Sequence, residues 1–152
     1  MGVAIVDLVT HNEVNIAARP GAVWPHILDI NGWHPAQILR HVGGPVEAVG
    51  ERFSASPHQM PETVTLYVVT VELQPQRRRT VRLHSADERY LGYATWVLAD
   101  RGEHTAVSYH VYCHQPVPQG MGNEELLQQT RLRMDLGLQN LKRLVETGRA
   151  AP

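Results

Sequence analysis

The sequence predicts an α+β fold: a short first strand, two short helices, about six antiparallel strands and one long C-terminal helix. Two observations carry this expectation. Over residues 123–147, Leu127, Thr130, Met134, Gly137, Leu138, Leu141, Leu144 and Val145 recur at steps of three and four, which places them on one helical face. Gln128, Arg131, Asp135, Gln139, Lys142 and Glu146 fill the opposite face. Residues 63–73, 79–86, 90–99 and 105–114 instead read as strands separated by turn-forming residues, and four consecutive strands make a meander. So amphipathic a helix needs a broad surface to bury against, and it reads as the lid of a cavity.

The elements follow in order. Val14 and Ile16 alternate inward in a short strand over residues 13–18. Pro20 suits a first helical position, and Val23, Trp24, Ile27 and Leu28 form the apolar stripe of a helix that Pro25 should keep short or kinked. Asn31-Gly32 ends it, and Trp33-His34-Pro35 opens a second short helix to about Leu39. Residues 43–54 read as two strands turning near Gly50, and residues 56–62, with Pro57 and Pro61, as a loop. After the meander, Pro116, Pro118, Gly120 and Gly122 lead into the long helix. Asn123 is its expected N-cap, Glu124 and Glu125 suit its positive end and Lys142 and Arg143 its negative end, and Gly148 can close it left-handed.

Composition bounds the function. A chain of 152 residues, 43% hydrophobic, is expected to form one domain with its core over about residues 12–147 and loose ends. A net charge of -1 gives no electrostatic footprint for nucleic acid or membrane, and the basic run Gln76-Arg77-Arg78-Arg79 reads as a solvated turn. Cys113 stands alone, so an intramolecular disulfide and a cysteine-based zinc site are excluded, which fits a reducing cytoplasm. The apolar residues 3–9 are broken by Asp7 and lack a basic flank, so no signal peptide is expected, and no span reaches transmembrane length. Val6 stands where a myristoylation site wants Ser or Thr. Despite nine histidines no metal or other cofactor is expected: His110 and His114 share a strand face but lie about 13 Å apart along it. Phosphate loops, nucleophile elbows and paired catalytic carboxylates are missing from the pattern. The chain is expected to act as a monomer or homodimer.

Ala18-Arg19-Pro20-Gly21-Ala22-Val23-Trp24, then Asp29, Trp33 and Pro35, resemble the opening signature A-x-P-x-x-V-W…D…W-x-P of the SRPBCC (START/Bet v 1-like) superfamily, polyketide cyclase/dehydrase branch. Residues 46–53 resemble that family's V-x-x-V-G-x-x-F hairpin, residues 72–78 its E-x-x-P-x-R-R turn and residues 93–98 its penultimate strand. The resemblance spans residues 13–146. It implies a helix-grip: a strongly bent antiparallel sheet of six to seven strands wrapped around the C-terminal helix, with an apolar pocket between them. It does not imply one activity, because members include carriers, aromatase/cyclases and co-chaperone-like proteins.

Alternation indicates which side chains face that pocket. If residues 100–103 form the hairpin loop, Ala99 pairs with His104, Trp96 lies opposite Val107 and Ala94 opposite Tyr109. Val107, Tyr109, Val111 and Cys113 are the apolar alternants, so they and Trp96 point inward. The same alternation turns Thr65, Tyr67, Val69, Val71 and Leu73 inward. Val81 and Leu83 are favoured inside over Arg82 and His84, although one residue more or less in the preceding turn would exchange them. With the helix-grip that the resemblance implies, Trp33, Tyr67, Trp96, Tyr109, Val111, Met134, Gly137 and Leu138 are the expected ligand-binding residues, with His58, Glu62, Tyr90 and Met121 at the mouth.

Three functions fit: binding of a hydrophobic or aromatic small molecule, a cyclase or dehydratase using His84, Tyr67 or Tyr109 as acid or base with Arg82 on an enolate, and a co-chaperone-like interaction module. Binding is favoured, because every feature supports a pocket and none compels chemistry.

Overall fold

A computed structural model describes residues 4–149 of the chain. Its elements are β1 (Ile5–Ile16), α1 (Pro20–Leu28), a 3-10 turn (Ile30–Gly32), β2 (Gln37–Gly43), β3 (Arg52–Pro57), β4 (Leu66–Gln74), β5 (Arg78–His84), β6 (Leu91–Asp100), β7 (Thr105–Pro116) and α2 (Asn123–Thr147). All seven strands join one open antiparallel sheet in the order β1-β7-β6-β5-β4-β3-β2, and α2 packs on its inner face. This is the helix-grip architecture. The looseness expected at the extreme ends concerns residues 1–3 and 150–152, which lie outside the described residues. No helix among the described residues is long and apolar enough to cross a membrane.

β1 begins at Ile5, well before the expected residue 13. Leu8 and Thr10 continue the buried alternation of Val14 and Ile16, and every residue from Ile5 to Ile16 has a partner on β7. Asp7, which interrupts the apolar run, points outward, where it accepts hydrogen bonds from Tyr112 Oη (2.9 Å) and His114 Nδ1 (2.8 Å). α1 is short as expected. Val23, Trp24 and Ile27 are buried while Pro25 faces solvent, and the Asp29 N–H still reaches the Pro25 carbonyl at 3.1 Å.

The second short helix, over residues 33–39, is not formed; one 3-10 turn precedes it, residues 33–36 are irregular and β2 begins at Gln37. Two side chains divert the backbone. His34 Nδ1 accepts from the amides of Ala36 (3.2 Å) and Gln37 (3.1 Å), and the Asn31 amide both donates to and accepts from the backbone of Leu39, each at 2.8 Å. Side-chain bonds of this kind compete with helical ones and hold the chain extended for pairing with β3. The hairpin expected over residues 43–54 is likewise a β2-loop-β3 unit. Its loop is pinned by the buried Glu51 carboxylate, which accepts from the Glu47 amide (2.9 Å) and meets His41 Nδ1 (2.7 Å).

In β4 the expected faces are exchanged over most of the strand. Leu66, Val68 and Thr70 point inward, whereas Tyr67 is 41% exposed and Val71 also faces out. A β-bulge between Thr70 and Glu72 is the cause: it inserts Val71 and shifts the phase, so Leu73 packs inward but alternation counted back from it fails. β6 and β7 keep the expected faces in a different register, with Asp100 paired to Thr105 and Trp96 opposite Tyr109 rather than Val107.

The basic run is a solvated turn only in part. Arg77 and Arg78 are exposed, but Arg79 is 2% exposed and sits between Phe53 and Trp96, its guanidinium carbon 5.6 and 5.7 Å from the two ring centroids. Its Nη1 donates to the carbonyls of Ile27 (2.5 Å) and Leu28 (3.3 Å) at the C-terminal end of α1, where a cation also meets the negative end of the helix.

α2 spans the expected residues, although Gly122 rather than Asn123 is its N-cap; Gly148, at φ 70°, closes it left-handed. Its last turns are tied to β1: Lys142 Nζ donates to the Asn15 carbonyl (2.7 Å), and Glu146 accepts from the Ala17 amide (2.8 Å). At Gly137 a Cβ would lie 3.3 Å from Pro35 Cδ and 3.4 Å from Trp33 Cζ3. Glycine thus lets the helix close against the segment after the 3-10 turn. Gly137→Leu should cost about 1–3 kcal/mol by overpacking; urea unfolding will measure it, and an unchanged midpoint would mean that this contact gives way freely.

Candidate functional site

Between α2 and the inner sheet face lies a cavity of about 330 Å³. Its floor comes from alternate residues of five strands, among them Ala55, Val68, Val81, Ala94, Trp96, Tyr109 and Val111, and its roof from Thr130, Met134 and Gly137. The third wall is the segment from Ile30 to Leu39. Trp96 and Tyr109 stack on each other at 5.1 Å between centroids with their planes 11° apart, a paired aromatic wall within the floor. Met134 is held by Thr10, whose hydroxyl lies 2.7 Å from the thioether sulfur.

Of the residues expected at a binding site, Trp33, Trp96, Tyr109, Val111, Met134 and Gly137 line this cavity. Trp33 is fixed there by its Nε1–H to the His26 carbonyl (2.7 Å) and by Asn140, which donates to its own carbonyl (3.1 Å). Leu138 is fully buried but belongs to the packed core beside the cavity. Tyr67 lies on the outer sheet face, stacked on His84 at 5.5 Å. His84 and Arg82 are outside as well, their strand turned so that Val81 and Leu83 face in. Neither can reach a molecule in the cavity, so of the four suggested catalytic groups only Tyr109 is so placed. Of the expected mouth residues, Tyr90 and Met121 line the cavity together with Gln115 and Pro118; Glu62 is exposed and apart from it. His58 does not line it but anchors its wall, its Nε2 donating to the His34 carbonyl at 2.9 Å.

Sequence reasoning missed the polar groups. His34 lines the cavity; because Nδ1 accepts two amide protons, the ring proton sits on Nε2, which makes no hydrogen bond among the described residues. Burial, reinforced by Arg133 and His58, pushes its pKa down to about 4, so the ring is neutral at pH 7. Among the described residues Arg133 is the only charged one on the cavity wall, and Gln37 and Gln129 line it too. Trp96 Nε1 and Gln37 Oε1 are buried without partners. The Tyr90 hydroxyl lies 2.9 Å from the Cys113 thiol, and burial raises both pKa values as it does that of Tyr109, so all three stay protonated donors at neutral pH. A signal for Arg133 existed, since Thr130, Arg133, Met134 and Gly137 fall on one helical stripe. Among the described residues no three metal-ligating side chains come together.

The family profile for polyketide cyclase / dehydrase and lipid transport matches residues 8–146. The chain belongs to this family. No match was found among curated proteins. Among solved structures the chain is similar to TTHA0849 from Thermus thermophilus, at 19% identity and TM-score 0.69 over 93% of this chain and 99% of that one. It is similar also to a point mutant of norcoclaurine synthase from Thalictrum in complex with a transition-state analogue, at 16% identity and TM-score 0.64, covering 95% and 97% of the two chains. DynU16, from the dynemicin biosynthetic locus, is similar at 16% identity and TM-score 0.63; 93% of this chain is covered, but only 48% of DynU16, so the chain spans about half of that relative's length. At these identities the likeness establishes the fold. Family membership supports a role in ligand binding or cyclisation.

Proposed function

We infer that the protein binds a small apolar or aromatic molecule in the cavity between sheet and α2. The observation that carries this is the stacked Trp96–Tyr109 floor, on which a buried indole N–H has no partner among the described residues. A buried donor left unpaired costs roughly 1–3 kcal/mol, and a ligand acceptor recovers that. An apolar chamber with a few unmatched polar groups is the usual form of a small-molecule site. A protein-interaction module would have no use for it. The lone, buried cysteine and the near-neutral charge fit work in a reducing cytoplasm, as monomer or homodimer.

Cyclase or dehydratase chemistry is the second reading, favoured by proton donors on the cavity wall: the Tyr109 and Tyr90 hydroxyls and the His34 Nε2–H. Such an enzyme would use these groups, and not His84 or Arg82, to protonate or hold a carbonyl oxygen.

Titration with a small aromatic ligand such as 2-naphthalenemethanol, followed by calorimetry, tests the binding reading. Trp96→Ala should lose about 1–3 kcal/mol of binding as aromatic contact area is removed, and Tyr109→Phe should stay within a few fold. Equal affinity in wild type and Trp96→Ala would place the ligand elsewhere. Turnover of a carbonyl substrate that collapses in Tyr109→Phe, with affinity retained, would favour the enzyme.

A further inference from the structure

The unmatched groups on the cavity wall are mostly of one kind. Arg133 has no carboxylate within ion-pairing distance among the described residues, and none lines the cavity. Trp96 Nε1–H and His34 Nε2–H are donors without acceptors, the first on a side chain 98% buried. The remaining orphan, Gln37 Oε1, accepts in one orientation of the amide and donates in the other. Arg133 lines the cavity one helical turn before Gly137, with His34 and Gln37 on the same wall, and is near enough to His34 for its charge to act on that ring. Its charge also bears on Tyr90, Tyr109 and Cys113 across the cavity and favours the anionic form of each. A narrow chamber that offers a cation and spare N–H donors beside an aromatic pair wants a flat aromatic molecule that brings negative charge.

We propose that the ligand is a planar aromatic acid or acidic enol, its anionic oxygens held by the Arg133 guanidinium and the His34 Nε2–H and its ring packed against the stacked Trp96–Tyr109 pair. This rests on the cavity-binding reading and adds the chemical class of what is bound. A charge-assisted bond between guanidinium and carboxylate is about twice as strong as a neutral one. Even with Arg133 partly in water, it separates an acid from its neutral isostere. The neutral imidazole suits the role, since it offers a proton to the anion without adding a second buried cation beside Arg133.

The test is calorimetric binding of 2-naphthoate and of 2-naphthalenemethanol, alike in shape and different in charge, to the wild-type protein and to Arg133→Gln, with thermal melts as the folding control. Arg133 is solvent-exposed on its outer side and the variant should fold normally. The expected result is that naphthoate binds roughly ten-fold tighter than the alcohol, and that Arg133→Gln removes this preference while the alcohol's affinity stays the same. Equal wild-type affinities, or a variant that loses both ligands alike, would overturn the anion assignment and leave the cavity reading standing. If neither compound binds, the cavity reading fails and the anion assignment with it.

Discussion

Arg79→Ala should lower the free energy of unfolding by about 3–5 kcal/mol, the usual consequence of removing one partner from a buried charged network. Three losses add. The Ile27 and Leu28 carbonyls at the end of α1 lose their donor, at roughly 1–3 kcal/mol for a buried group left unsatisfied. The flat contact with Phe53 and Trp96 is replaced by a void. Glu51, itself buried, loses the nearby positive charge that offsets its own burial. Burial lowers the Arg79 pKa to about 10, with Glu51 and Asp29 opposing the shift, so the group is charged at any pH where the protein would be handled. Arg79→Lys keeps the charge and gives up the planar fork and its stacking, so it should fall between wild type and alanine. Urea unfolding at pH 7 measures all three proteins. A loss below 1 kcal/mol in the alanine variant would show that α1 is held without this clamp.

Arg79 also illustrates what the sequence made legible. It shares parity with Val81 and Leu83 on the inner face, but three consecutive arginines read as a solvated turn, because hydrophobicity patterns register charge and not the acceptors that charge will meet. Regular elements were legible where one period ran unbroken. α2 was recovered over its whole length and the meander strands nearly so, since each buries one face against the other. Where a side chain or an extra residue interrupts the backbone pattern, periodicity misleads. Asn31 and His34 turned an expected helix into an edge strand, and the bulge at Val71 put Tyr67 outside. In the site, apolar walls followed from alternation, while His34, Gln37 and Arg133 did not, because what brings them to the cavity is the fold of the segment and helix around it, which periodicity does not register. The outward turn of Arg82 and His84 was the favoured expectation, and the paired register of β4, β5 and β6 fits it.

His34 carries the second large effect, and it is a pH effect. In the folded protein its pKa is about 4, lowered first by burial and then by the Arg133 and His58 charges, against about 6.5 in the unfolded chain. Between those two values the unfolded state takes up a proton that the folded state refuses, so stability falls as pH drops from about 6.5 toward 4 and is insensitive to this residue above pH 7. The full span corresponds to about 3 kcal/mol at 1.36 kcal/mol per unit. The geometry gives the same sign, because protonating Nδ1 would break the bonds from the Ala36 and Gln37 amides that shape the cavity wall. His34→Asn should keep an acceptor near the Nδ1 position and remove the titration. Unfolding free energies of both proteins at pH 7.5, 6, 5 and 4.5 isolate the effect, since every other titrating group is common to them. Wild type should lose about 2–3 kcal/mol more than the variant by pH 4.5. Parallel pH profiles for the two proteins would mean that folding does not shift His34, so that in acid the wall beside Arg133 would carry two cations in place of one.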